Sequence, residues 1–328
     1  YKLQDRGEYW QTSAVYRGGD NPTALQIYKD TGVWKDYVAG GGFKPFDFLI
    51  KNSNSSLIST KEEDHFSTKT FTDEFSTVTS EKIFSEEDFG ELLPHFSFYE
   101  KKGIDLNILK NLNSGLSTGG AMYQRLVFPI LNKHLKIHGL AGRDNSQSSK
   151  RPKWKHLGKK SKWIYPFYSF SDCRNMILET KQVYLVESIG DALSLMTRGF
   201  SNVLVTFGLD ISPTLSCFLM GLNLDQIFIC FNNDHTKDLN RGKIASIKNI
   251  LKLTSNINFK KLYICLPTKE DFGEMNNKDF ELWVKKKKAL LKKRDIFKIN
   301  LLKESENLFS KGLISKNIFS NIKYIKND

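Results

Sequence analysis

The sequence predicts an α/β fold. A four-stranded parallel sheet with flanking helices fills the C-terminal half, preceded by a basic, mixed α+β subdomain and a small β-rich module at the N-terminus. Three observations carry that expectation. Residues 182–284 alternate short apolar runs with helical segments of about ten residues or more, the pattern of repeated βα units and of a parallel sheet covered on both faces. Two of those runs end in acidic or amide residues, Glu187 with Asp191 and then Asn232 with Asp234. The stretch upstream, residues 125–181, holds thirteen Lys or Arg against three acids.

A chain of 328 residues can bury a full core and is long enough for two or three compact units. Its 40% hydrophobic and 26% charged residues are ordinary for a globular protein, but the formal net charge of +13 is not. Such a surplus favours a polyanionic partner, nucleic acid or an anionic surface, over a merely solvated exterior. No run of eighteen apolar residues occurs and the opening YKLQDRGEYW lacks the core of a signal peptide, so the expected location is cytoplasmic, with no membrane partner. The chain starts on Tyr1, which suggests that a few residues precede it. Cys173, Cys217, Cys230 and Cys265 lie far apart, three of them in apolar patterns, and read as buried free thiols rather than disulfides or zinc ligands.

Taken in order, residues 1–52 contain the β-like runs TALQIY and GVWKDYV, punctuated by GGDNP and GGG. Residues 53–115 begin Ser- and Thr-rich and aliphatic-poor, as a mobile linker would, and then turn helical from Glu86. From Lys51 to Asp105 there are six basic and twelve acidic residues, a poor match for phosphate. Residues 116–181 form the basic subdomain, where two apolar runs surround the turn Asn132-Lys133-His134 and lead to Arg143. Trp154, Trp163, Tyr165 and Tyr168 interleave there with Lys155, Lys159 and Lys160. Basic groups neutralise phosphate while aromatic faces stack unpaired bases; alternatively the rings form a small core and only the lysines meet solvent. In residues 182–284 four strands, QVYLVE, NVLVTFG, QIFICF and KLYICL, alternate with helices. The tail, residues 285–328, has thirteen basic residues against four acids, with apolar spacing at Ile296, Ile299, Leu302, Leu308, Leu313 and Ile314. It predicts helices that dock on their own domain, on a protein or on DNA.

In an open parallel sheet, ligands bind at the carboxyl ends of the strands. Glu187, Asn232, Asp234 and the loop holding Asp271 and Glu274 all fall at that edge. Asp191, four residues after Glu187, points back from the first helical turn toward the same space. Carboxylates sharing one site repel unless a cation intervenes, and an oxygen-only donor set suits Mg²⁺ or Mn²⁺ rather than zinc. Phosphoryl or nucleotidyl transfer is the chemistry that such a site supports.

The motif E-S-I-G-D-A-L-S resembles the first signature of the Toprim fold, and F-N-N-D with Arg241-Gly242 resembles the second. The upstream R-L-V-F-P-I-L-N, G-L-A-G-R-D and K-W-K-H-L-G-K-K-S-K-W-I-Y-P-F-Y resemble the basic subdomain of DnaG-type primases. The N-terminal D-N-P-T-A-L-Q-I-Y is similar to their zinc-ribbon module, and the whole is most like the stand-alone primase subunits of T-even-like tailed phages. The resemblance implies RNA primer synthesis on a single-stranded DNA template from ribonucleoside triphosphates, in the host cytoplasm if phage-encoded. It gives Glu187, Asp191 and Asp234 catalytic roles, with Glu187, Asn232, Asp234 and Asp271 around Mg²⁺ or Mn²⁺. Arg125, Lys133 and Arg143 would contact template or nucleotide, with Lys155, Lys159 and Lys160 along the track.

Three departures stand out. Ser188 replaces a Gly, Asn232 replaces an Asp and so removes a charge, and the N-terminal module has no Cys, so no tetrahedral zinc site can form there. No G-x-x-x-x-G-K-[ST] occurs, so a replicative helicase would be a separate protein. A Toprim nuclease and a non-catalytic nucleic-acid-binding replication subunit are the competing readings.

Overall fold

The computed structural model describes residues 2–29, 33–39, 82–146 and 151–328. They fall in two compact units, residues 1–81 and 82–328. The Ser- and Thr-rich linker expected near residue 53 and the GGG cluster lie outside the described residues.

The first unit is an antiparallel sheet in the order β1 (Gln4–Asp5), β2 (Tyr9–Thr12), β3 (Leu25–Tyr28), β4 (Trp34–Asp36). Strand residues alternate between faces. Leu25, Ile27 and Trp34 turn inward and meet Ala14 and Ala24, with Trp10 and Tyr16 packed against them. Tyr9 and Tyr28 are cross-strand partners on the other face, with rings 5.8 Å apart. The single-residue offset between Tyr9 and Trp10 puts them on opposite faces.

The second unit holds two sheets. The antiparallel one runs β5 (Leu92–Leu93), β6 (Gly115–Ser117), β7 (Arg125–Leu131), β8 (Ile137–Asp144), β9 (Trp154–Leu157). A domain boundary at 115/116 therefore cuts a strand, because β5 recruits the preceding segment into this sheet. The two faces of the sheet bury different partners. Leu126, Phe128, Ile130 and Ala141 join the main core, whereas Val127 and Leu140 pack on Phe84, Phe89 and Met122. Gly139 leaves the space in which the Trp163 indole lies, for an added Cβ would stand 2.4 Å from that ring. Trp163 and Tyr165 are buried, so these two aromatics are core, as the blander of the two readings held.

The parallel sheet has the order β11 (Val203–Val205), β10 (Gln182–Val186), β12 (Gln226–Ile229), β13 (Leu262–Ile264), and all its neighbours are parallel. Chain order reverses direction between β10 and β12, so their carboxyl ends open a crevice. Among the described residues no helix is long and apolar enough to cross a membrane.

The basic tail does not begin at residue 285, since one helix spans Asn277–Lys292. Its successor, Arg294–Ser310, docks on its own unit through Phe297 and Leu301, while Ile296 and Ile299 remain exposed. Phe297 stacks on Phe259, and the Arg294 guanidinium lies 4.1 Å from the Phe259 ring and 4.4 Å from that of Tyr263. Reading the tail by its aliphatic spacing missed this anchor, which is aromatic.

Candidate active site

Glu187 directly follows β10 and is half-buried. The next residue, Ser188, caps the helix Ile189–Thr197, its hydroxyl oxygen accepting from the Asp191 amide at 3.3 Å and its proton going to Asp191 Oδ2 at 2.7 Å. Replacing Gly by Ser at 188 thus adds an N-cap. Asp191 is buried, and its Oδ1 accepts from the Phe272 amide at 3.2 Å, tying the first helical turn to the loop after β13. Burial foremost, aided by the charges of Asp271 and Glu187, pushes Asp191 up to about 7. Its side chain positions the edge.

Burial also raises Glu187, and Asp234 adds to that shift, while Lys237 opposes it. The two carboxylates follow adjacent strands and feel each other. Asp234 is bonded by the Lys237 ammonium, a residue missed in the sequence although it stands three positions later in a polar loop. Asn232 Oδ1 is buried with no hydrogen-bond partner. Asn233 bridges to the neighbouring loop: its amide donates to Glu270 O at 2.7 Å and its Nδ2 to Pro267 O at 3.0 Å. The helix Arg241–Leu253 starts against the Asn232 backbone, where a Cβ on Gly242 would fall 1.7 Å from the Asn232 carbonyl oxygen. Glycine there is a packing requirement. Asp271 spends Oδ1 on the Glu274 amide at 2.9 Å. Among the described residues no three acidic, His or Cys side chains form a ready metal cluster. What does suit a hard cation is two mutually repelling carboxylates, Glu187 and Asp234, together with the unpartnered oxygen of Asn232, two positions before Asp234.

The predicted basic residues divide. Arg143 faces the main core side of the antiparallel sheet, directly opposite Trp154. Its guanidinium is sandwiched, 4.8 Å from the Phe98 ring and 5.4 Å from that of Trp154, with Nε buried and unpartnered. Trp154 stacks in turn on His156, with planes 12° apart. Burial first, then Lys160, lowers His156 to about 4, so it is neutral at physiological pH. His156 and Trp163 both meet Phe207, from the loop after β11. The buried Tyr99 hydroxyl, raised by burial, feels both Arg143 and Asp191. Phe98 and Phe207 were not singled out from sequence; their only signal was an aromatic beside a basic or glycine-containing loop.

Arg125, expected on the nucleic-acid surface, is interior at 2% exposure. It donates to Gly142 O at 3.3 Å and Pro152 O at 2.9 Å, on the face opposite Arg143, because strand alternation separates the two. Lys155 shares that opposite face and donates to Ala121 O at 2.7 Å. Lys133 is exposed at the β7–β8 turn, ~20 Å along the hairpin from Arg143. Lys159 and Lys160 are exposed, with Lys160 reaching Phe207 O at 3.4 Å. All four cysteines are free, and three are buried.

The fold, with its parallel sheet and its antiparallel sheet, is similar to that of solved primase structures. The chain matches the zinc-binding and RNA polymerase domains of Aquifex aeolicus primase over 100% of its own length and 92% of that chain, with TM-score 0.51 and 15% identity. In sequence it is 25% identical to the DNA primase of Staphylococcus aureus (strain COL) over 226 residues, 64% of this chain and 35% of that protein. It is 30% identical to the DNA primase of Borreliella burgdorferi over 146 residues, 42% of this chain and 27% of that protein. The chain thus spans about a third of the length of these curated relatives. No family model matches it.

Proposed function

We propose that the chain is a DnaG-type DNA primase, a nucleotidyltransferase that makes short RNA primers on single-stranded DNA. The observation that carries this reading is the pairing of Glu187 and Asp234 beyond adjacent strands of a primase-type fold. Glu187, Asp234 and Asn232 would hold Mg²⁺ or Mn²⁺, with Asp271 beside them. The cation would supply charge neutralisation at the reacting phosphate. Asp191 and Ser188 hold the turn that presents Glu187. Arg143 offers a flat, always-charged donor to a phosphate or base, and Trp154 a face for stacking. Lys159 and Lys160 extend the positive surface, while Arg125 and Lys155 support the sheet from behind. The template, the ribonucleoside triphosphates, a separate helicase and a phage replication setting belong to this proposal.

Incubation with single-stranded DNA, Mg²⁺ or Mn²⁺ and labelled ribonucleotides tests it. Primer-length products that vanish with Glu187→Gln and with Asp234→Asn support the primase, and DNA cleavage would indicate a nuclease. A second reading, a non-catalytic nucleic-acid-binding replication subunit, is favoured by the neutral Asn232 and by the lack of a three-acid cluster among the described residues. Binding with no product in either metal would support that one instead.

A further inference from the structure

The N-terminal module has a small core. Ala14, Ala24, Leu25, Ile27 and Trp34 are its clustered buried apolar residues. Folds of this size usually need a disulfide, a metal or a partner chain to stay closed. Residues 1–81 contain no cysteine and a single histidine, His65, which lies outside the described residues. Neither a disulfide nor a tetrahedral zinc site can be built from that set, so the zinc implied by the resemblance does not fit.

We propose that the Asp36 carboxylate replaces the metal, acting as a zinc-free clip that ties the turn Val15–Arg17 to the end of β4. The expectation of a metal comes from the primase resemblance, whereas the clip rests on the contacts of Asp36 alone. Asp36 has a side chain only 2% exposed. Its Oδ2 accepts from Arg17 Nε at 2.6 Å and from the Tyr16 hydroxyl at 2.9 Å. Its Oδ1 accepts from Arg17 Nη2 at 3.2 Å and from the backbone amides of Val38 and Ala39, each at 2.9 Å. These five donors saturate the lone-pair positions of a carboxylate.

They also come from separate stretches. The 3-10 turn Val15–Arg17 supplies two side chains and the chain after β4 supplies two amides, while Asp36 pairs with Leu25 on β3. A structural metal does the same job by drawing separate loops onto one centre. A buried charge is tolerated only when paired and fully hydrogen-bonded, and removing one partner of such a set is costly. Burial by itself would raise the Asp36 pKa; the Arg17 pair and the remaining donors outweigh it and bring it down to about 2. The Tyr16 ring meets Trp34 edge-on at 5.3 Å, so the clip also holds the largest core residue.

The test uses the full chain, with zinc content by elemental analysis and hydrogen exchange by mass spectrometry on peptides covering residues 9–39. The expected result is no stoichiometric zinc, even after expression in zinc-supplemented medium, and exchange unchanged by a chelator. Asp36→Ala should speed exchange in these peptides about tenfold or more, with peptides from residues 82–328 unaffected. Arg17→Met should give an intermediate effect and Tyr16→Phe a smaller one. If Asp36→Ala cannot be produced in folded form, the graded pair Arg17→Met and Tyr16→Phe decides. Stoichiometric zinc whose removal speeds exchange in residues 9–39 would overturn the proposal. So would exchange in Asp36→Ala, or in both graded variants, equal to that of the parent.

Discussion

The two sheets of the larger unit carry opposite charges in opposite ways. The parallel sheet keeps its strands apolar and collects acids where they stop, at Glu187 and Asp234. The antiparallel sheet carries its basic residues along the strands, so each lands on whichever face the register dictates. Arg143 and Trp154 reach one face, Arg125 and Lys155 the other. Charges at strand ends are free to meet a ligand whatever the register; charges within strands are committed by it. That difference predicts that the acidic edge is sensitive at each of its facing residues, whereas the basic sheet is sensitive on one face alone.

The largest effect should come from Glu187→Gln. Primer synthesis should fall by ~10²-fold or more, with affinity for single-stranded DNA within about twofold of the parent. A fluorescence-anisotropy titration run beside the product assay separates the two. Equal losses of binding and synthesis would mean that the edge and the basic sheet do not divide the work.

Next, Arg143→Ala should weaken single-stranded DNA binding about tenfold and reduce its salt slope by about one. Trp154→Ala should weaken binding by a similar factor with the slope unchanged, because stacking releases no counterion. Lys159→Ala with Lys160→Ala should flatten the slope, whereas Lys155→Ala should leave it unaltered. A salt slope that responds to Lys155 as strongly as to Arg143 would break the distinction between the faces.

The legibility of the sequence follows the same division. The apolar runs gave the four parallel strands, and their ends located Glu187, Asn232 and Asp234, because the end of a strand is marked by composition alone. The order β11-β10-β12-β13, which makes Glu187 and Asp234 neighbours, depends on long-range pairing that no local pattern encodes. Arg125 and Arg143 look alike in a basic segment, and only the β7–β8 register separates an interior guanidinium from a stacked one. Phe98, which covers one face of Arg143, lies forty-five positions upstream of it. The Asp36 clip was equally hidden, since Arg17 and Asp36 are nineteen residues apart and neither belongs to a motif.

Asp191 offers the finest test of the comparison, since it belongs to the acidic edge yet is buried like a residue of the antiparallel sheet. Its carboxyl group rises from 3.8 to about 7 on folding, mainly through burial, with Asp271 and Glu187 contributing. A raised carboxyl pKa means that the folded chain holds the proton more tightly than the unfolded one. The stabilisation is complete below about pH 4 and is lost as pH rises through about 7, so in chelator the parent should melt lower at pH 8 than at pH 5 through this group. Asparagine mimics the protonated acid: its oxygen can accept from the Phe272 amide and its Nδ2 can donate to the Ser188 hydroxyl. Asp191→Asn should therefore raise the melting temperature by a few degrees at pH 8, by less at pH 5, and by less and less as pH falls toward about 4, as scanning calorimetry would show. Adding Mn²⁺ should narrow the gap at pH 8, because a cation bound at the edge relieves the repulsion that Asp271 and Glu187 impose on Asp191. A gap that Mn²⁺ leaves unchanged would mean that Asp191 is a buried structural acid uncoupled from the edge, with Glu187 and Asp234 working without it.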